Sequence, residues 1–350
     1  MSRLDRPIPV TVLTGFLGSG KTTLLGKLLG QPEMAGTAVI INEFGEVGLD
    51  DLLVSRADEP VLLKNGCLCC TVRGDLALAL QDLLLKRMRQ DYAFERVMIE
   101  TTGLADPAPI IQTLVTDPGI AGRFRLDGVV TIVDCAVGLD TLDRFPESVK
   151  QAAIADRLLL SKQDIASPED VVGLRTRLGA LNPGAILVNA AHGDVAAAEL
   201  LGLGLYDPES RDLDVERWLR ADAYDTPHGH DDCAGAGCNH ASHHKALSHR
   251  HIDRIRSCCL IRDRPIRWAE FSGWIDALIR TRSSELLRVK GIVDILECPG
   301  EPLVIHGVQQ VFHPPVRMEN WPSDDHRTRI VLIVRDWDDR DIAAMFARLP

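Results

Sequence analysis

The sequence predicts an α/β chain: a mostly parallel sheet with helices on both faces, followed by a small α+β unit. Three observations carry this reading. Short apolar runs alternate with helix-like stretches through the first half, each run ending in a polar or glycine-containing turn. The first run, Ile8 to Leu13, delivers Gly15-Phe16-Leu17-Gly18-Ser19-Gly20-Lys21-Thr22 into a helix-like stretch, Thr23 to Leu29. From Ile255 onward, strand-like and helix-like runs follow in mixed order.

The octet Gly-x4-Gly-Lys-Thr between a strand and a helix is the phosphate-cradling loop of P-loop NTPases. Its glycines let backbone N–H groups curl around phosphate oxygens, and the helix aims its positive N-terminus at the same anion. Gly15, Gly18, Ser19, Gly20 and Thr23 form the cradle, Lys21 reaches the β- and γ-phosphates, and the Thr22 hydroxyl sits on Mg²⁺.

Thr37 to Ile41 reads as the next strand, ending in the acidic stretch from Asn42 to Asp51. At the C-terminal edge of a parallel sheet, where ligands bind, Glu43, Glu46 and Asp50 can face Mg²⁺, a transition metal or water. We assign Asp50 to Mg²⁺ and Glu43 as a candidate fourth ligand of a thiolate site. Those thiolates follow Val61 to Leu63, at Cys67, Cys69 and Cys70. Adjacent thiolates repel unless a cation neutralises them, and three sulfurs leave one position of a tetrahedral ion open. Zn²⁺ is the first choice and Co²⁺ the alternative; a redox pair and plain packing are the rival readings. Thr71 to Met88 then reads as an amphipathic helix.

The strand Arg96 to Ile99 delivers Glu100-Thr101-Thr102-Gly103. A strand-terminal acid is where a Mg²⁺-holding carboxylate sits, and Gly103 can offer its N–H to a γ-phosphate and move on hydrolysis. After a buried strand, Val129 to Val133, the run Arg157 to Leu160 ends in Ser161-Lys162-Gln163-Asp164. There Asp164 would accept from the guanine N1 and exocyclic amine, with the Lys162 stem along the ring. Adenine would leave that carboxylate unpaired, so GTP is favoured over ATP. Ile186 to Val188 reads as the last strand of the sheet, with Asn189 after it near the base.

Composition bounds the rest. The 350 residues suffice for two domains, each able to bury its own core. A net charge of −11 argues against a nucleic-acid backbone as main partner. No apolar run is long enough for a bilayer and the N-terminal stretch lacks a signal-peptide h-region, so no membrane partner and a cytoplasmic location are expected. Nine cysteines, an odd count, suit metal or redox work better than a disulfide framework.

The motifs GFLGSGKTT, INEFGEVGLD, GCLCC, ETTGLADP and SKQD, in this order, resemble the CobW-like family of P-loop GTPases, and the resemblance continues through LLRVKGIV and Trp321-Pro322. It implies a GTPase and metallochaperone that holds Zn²⁺ at Cys67, Cys69 and Cys70 and hands it to a client metalloprotein according to nucleotide state. With no cis arginine finger evident in the sequence, slow intrinsic turnover is expected. The family also implies alternatives: cobalt delivery for cobalamin synthesis or activation of a nitrile hydratase. A non-catalytic metal buffer or sensor, and a redox maturation factor, remain as other classes. Ser161 departs from the family's usual Asn, which predicts a weaker contact between loops.

These readings divide the chain into a GTPase domain, 1–205, a linker, 206–250, and a C-terminal α+β domain, 251–350. The linker carries Cys233, Cys238, His240, His243 and His244 without apolar periodicity and reads as a flexible, metal-sequestering segment with labile ligands at those histidines. In the C-terminal domain Ile255 to Ile261, Leu286 to Leu296, Leu303 to Val308 and Ile330 to Val334 read as strands, and Trp268 to Arg280 and Ile342 to Leu349 as helices. Trp268, Phe271, Ile275 and Leu278 are expected on one face, and Cys258 and Cys259 on opposite faces of a strand. Contact with the recipient, or with a second copy in a homodimer, is its expected work.

Overall fold

The computed structural model describes residues 6–41, 51–56, 59–64, 74–203, 215–221, 224 and 254–349. The first unit is built in order from β1 (Ile8–Gly15), α1 (Lys21–Leu28), β2 (Thr37–Ile41), β3 (Asp51–Arg56), β4 (Glu59–Lys64), α2 (Gly74–Met88) and β5 (Arg96–Glu100). It continues through α3 (Ala108–Thr116), β6 (Phe124–Asp134), α4 (Gly138–Arg144), α5 (Pro146–Ala153), β7 (Arg157–Ser161), α6 (Pro168–Leu181) and β8 (Ile186–Ala190). The strands order as β4-β3-β2-β5-β1-β6-β7-β8. Six of them, β2 to β8 along that path, are parallel, and their near-continuous Val, Ile and Leu content follows from burial on both faces.

Two features differ from the expectation. Asp51–Arg56, which begins at the last residue of the acidic stretch and lies outside the expected strands, is strand β3, and it forms an antiparallel hairpin with β4 on the edge of β2. Its apolar run, Leu52 to Val54, is only three residues long, too short for periodicity to separate a strand from a loop. The first unit also carries α3, α4 and α5, short helices that cover the sheet between β5 and β7.

The reversals set where the chain emerges. Ile99, Ile40, Leu52 and Leu63 lie in one row across β5, β2, β3 and β4. Because β3 and β4 each reverse direction, β4 runs the same way as β2. Lys64 therefore leaves the sheet level with Glu100, three strand spacings or about 14 Å away.

The second unit follows α7 (Val215–Leu219): β9 (Ile255–Arg262), α8 (Trp268–Arg282), β10 (Leu286–Val293), β11 (Leu303–Val308), β12 (Val311–Phe312), β13 (Val316–Arg317), β14 (Thr328–Arg335) and α9 (Asp339–Arg348). The sheet is antiparallel, in the order β12-β11-β10-β14-β9, with β13 on β11. Its α9 opens with a capping box between Asp338 and Asp341. Strand alternation splits its side chains between two layers. Cys258, Leu260, Ile330 and Leu332 pack under α8 and α9 with Phe271, Trp274 and Leu278. Trp274 takes the buried place expected of Trp268, which is largely exposed.

The opposite face does not close a separate core. Cys259, Leu287, Ile292, Val331 and Ile333 share one apolar cluster with Val149, Leu158, Leu174 and Leu178 of the first unit. Each unit has a core of its own, the second unit's lying under α8 and α9, and the second sheet's other face in addition completes the first unit's helical layer. Within that layer Arg288 and Lys290 of β10 converge on Asp156, with Lys290 Nζ at 3.1 Å from Oδ1. Arg288 also donates to the Ile154 carbonyl, and Lys290 lies 4.9 Å from the centre of the Trp218 ring. Burial alone would raise the Asp156 carboxyl; Arg288, Lys290, His306 and the Val129 N–H overcome it and hold it well below the usual carboxylate range.

Candidate nucleotide-binding site

The loop between β1 and α1 adopts the backbone its glycines permit. Gly18 and Gly20 have φ of +74° and +100°, in the left-handed region that side chains disfavour. Gly20 is the N-cap of α1 and supplies no side chain, so the N–H groups of the first turn point outward toward an anion. Lys21 folds over the loop, its Nζ donating to the carbonyls of Gly15 at 2.8 Å and Phe16 at 3.2 Å.

Beside it, Thr22 Oγ1 donates to Glu100 Oε1 at 2.9 Å. Parallel pairing of β1 with β5 brings these residues together across 78 positions of sequence. The Thr101 hydroxyl fixes the same junction by donating to Thr14 Oγ1 at 2.8 Å. Gly103 then turns back onto the loop so closely that a Cβ there would lie 2.6 Å from the Leu17 nitrogen. Leu17, Lys21, Thr22, Ile41, Glu100 and Gly103 help enclose a cleft of about 670 Å³, ample for a nucleotide. Gly15, Gly18, Ser19, Gly20, Lys21, Thr22, Thr23, Glu100 and Gly103 thus fall in one place, as their order in the sequence suggests.

The base-side residues lie at the ends of β7 and β8. Ser161 Oγ, buried, donates to the Ser19 carbonyl at 2.7 Å and so ties this loop directly to the phosphate loop. The hydroxyl thus makes a loop-to-loop contact at the position where the departure from Asn predicts a weakened one. Lys162 has φ of +55° and its Nζ donates to Asp134 Oδ2 at 2.7 Å, which orients the stem. Asp164 faces His192, whose Nδ1 is 3.7 Å from Oδ2. The Asn189 side-chain Oδ1 accepts from Gln163 Nε2 at 2.9 Å and from Arg175.

Three contributors escape sequence reasoning. Asp134 orients Lys162, and its strand-terminal position is the sole sequence signal. His192 stands beside Asp164 with no motif to mark it. Gln151 on α5 donates through one Nε2 to the carbonyls of Gly103 at 3.2 Å and Ala105 at 3.0 Å. Its own carbonyl accepts from Thr131 Oγ1 of β6 at 2.8 Å, so a rigid element holds the Gly103 segment. In sequence it is one polar residue in a short helix.

The metal-ligand expectations at Cys67, Cys69, Cys70, Glu43, Asp50, His240, His243 and His244 lie outside the described residues. Among the described residues, no group of three or more His, Cys, Asp or Glu side chains could hold an ion. Cys135 and Cys259 are buried, and burial, reinforced by Asp134 at Cys135, pushes the thiols up to about 11 and about 12, which favours the protonated form. Among the described residues no helix is long and apolar enough to cross a membrane.

Residues 9–189 match the family model for the CobW/HypB/UreG nucleotide-binding domain, and residues 255–349 that for the cobalamin synthesis protein cobW C-terminal domain. The chain is 33% identical over 346 residues to the zinc chaperone YjiA of Escherichia coli (strain K12), covering 98% of this chain and 99% of that one. It is 31% identical over 373 residues to the zinc chaperone CobW of Pseudomonas aeruginosa, covering 96% and 90%. The crystal structure of Zn(II)-bound YjiA GTPase from E. coli is similar with a TM-score of 0.69 at 29% identity, across 99% of each chain.

Proposed function

The chain belongs to the CobW/HypB/UreG family, and from that premise we propose that it is a GTPase that works as a zinc metallochaperone. Cys67, Cys69 and Cys70 hold the Zn²⁺ cargo, and nucleotide state governs its transfer to a client metalloprotein. The observation that carries the catalytic half is the Thr22–Glu100 contact at 2.9 Å inside the cleft. A hydroxyl and a carboxylate are the hard oxygen donors Mg²⁺ takes, so the residues present fit that ion, and when bound it neutralises charge on the β- and γ-phosphates.

The chain's own groups do the remainder. The N–H groups of the loop and the first turn of α1 bind the phosphates. Lys21 exchanges its carbonyl partners for phosphate oxygens. Gly103, held by Gln151, presents its backbone at the γ-phosphate position. Asp164 and Lys162 select guanine at the ends of β7 and β8. Positioning and charge neutralisation suffice for phosphoryl transfer, so no general base is invoked.

The cargo half is supported by strand order. Lys64 leaves the sheet level with Glu100, and the cysteine motif begins three residues later, so both stretches depart from one edge. In this reading, a movement of the segment after Glu100 alters the geometry of the thiolates. The test is Zn²⁺ titration of the full chain with a non-hydrolysable GTP analogue and with GDP, alongside the Cys67→Ser/Cys69→Ser/Cys70→Ser variant. Different Zn²⁺ affinities in the two nucleotide states, abolished in the variant, are expected. Equal affinities, or a variant that titrates as the parent does, would overturn the metallochaperone reading.

A further inference from the structure

Thr101 to Ala105 line the cleft, and the segment they begin, which runs on through Asp106 and Pro107 to α3, is fastened at several points. Thr101 N donates to the Leu13 carbonyl at 2.9 Å, and Gln151 holds the carbonyls of Gly103 and Ala105. Its last fastening comes from the far end of the chain. Gln309 Nε2 donates to both oxygens of Asp106, at 3.1 and 2.9 Å, across 203 positions of sequence. The same carboxylate accepts from Ala108 N at 3.0 Å, capping the start of α3, and faces Lys150 Nζ at 3.4 Å.

Gln309 sits at the tip of the β11–β12 hairpin, and the hairpin is seated there by its own packing. Val308 and Val311 are buried in the first unit's apolar cluster with Ala108, Ile110 and Ile111 of α3. The Gln309 N–H donates to the Leu287 carbonyl of β10 at 3.2 Å. Its φ is +52°, in the left-handed region where Gly or Asn is less strained than glutamine. The glutamine's length brings its amide donor to the Asp106 carboxylate.

We propose that Gln309 is a positioning residue: through Asp106 it latches the Gly103 segment in the place that receives a triphosphate, so the C-terminal sheet reads and biases nucleotide state. The latch rests on the guanine-nucleotide reading above and adds the element that transmits it. Whatever displaces the β11–β12 hairpin releases the segment, and a γ-phosphate that fixes the segment also fixes the hairpin, because coupling between two sites is reciprocal.

The experiment measures the affinity ratio of a non-hydrolysable GTP analogue to GDP, by calorimetry on the full chain. Gln309→Glu sets a carboxylate against Asp106 and is expected to lower the ratio about fivefold or more. Adding Asp106→Asn to Gln309→Glu re-forms the amide–carboxylate pair with the roles exchanged, and Asn still caps Ala108. That double variant is expected to regain most of the ratio, and because the ratio compares two nucleotides on the same chain, a uniform loss of folded protein cancels from it. A ratio unchanged in Gln309→Glu, or no recovery in the double variant, overturns the latch while leaving the GTPase reading standing. A parent chain that binds neither nucleotide overturns both.

Discussion

The interface between the two sheets can be broken at one atom group. Replacing Asp156 by Asn removes the charge that Arg288 and Lys290 share while keeping shape and one acceptor. The two cations respond differently. Burial already pushes Lys290 down to about 8 against the pull of Asp156, so it can lose its proton at small cost. Arg288 is also pushed down by burial, but a guanidinium does not deprotonate in a protein, and its side chain is almost wholly buried. The penalty therefore falls on Arg288, and breaking a buried pair in this way costs about 3–5 kcal/mol. Combining Asp156→Asn with Arg288→Met takes the stranded charge away and should recover most of that loss, since an apolar replacement of a buried pair is close to neutral. Urea unfolding followed by tryptophan fluorescence measures it, with Trp218 lying on Lys290 as the local reporter. If Asp156→Asn unfolds at the parent's urea concentration, or the double variant is no more stable than Asp156→Asn alone, the interface does not depend on this charge cluster.

Three further outcomes follow from the same geometry. His306 is buried and burial pushes it down to about 4, so it is neutral when folded. The unfolded chain protonates it near ~6.5, so stability is full above that pH and declines as pH falls toward 4, by about 2 kcal/mol at pH 5. His306→Leu should flatten that part of a urea-midpoint profile taken from pH 7.5 to 5; His313, pushed down by burial and by His306, and the groups Asp156, Arg288 and Lys290 remain in place as background. Gly103→Ala forces a Cβ onto the Leu17 backbone and should lower GTP turnover by about 100-fold with the circular dichroism unchanged; turnover equal to the parent's would show that the close approach does not matter. Ser161→Ala loses one buried hydrogen bond to the Ser19 carbonyl, and titration calorimetry should find GTP binding about 2- to 10-fold weaker.

Much of the nucleotide site is legible in the sequence because its parts are local. Gly15 to Thr22 need only a strand before and a helix after, and Glu100 and Ser161 each end an apolar run that parallel pairing brings to the same edge. What stays hidden depends on long-range packing. Gln151 and Gln309 are single amides whose partners are backbone carbonyls or a carboxylate far along the chain, and no period marks them. The antiparallel pair β3–β4 escapes because Asp51–Arg56 is short and begins in an acidic stretch. The shared core was equally invisible. Alternation along β9 and β14 announces two apolar faces, but not that one of them belongs to the first unit.

A sheet walled in by helices on one side and by another unit's helices on the other has no flat surface left to present. Among the described residues, a newcomer to the C-terminal half would meet α8, α9, the hairpin turns, or the outer rim along Ile255–Arg262. Recognition at such a rim runs through main-chain groups and tolerates many side chains.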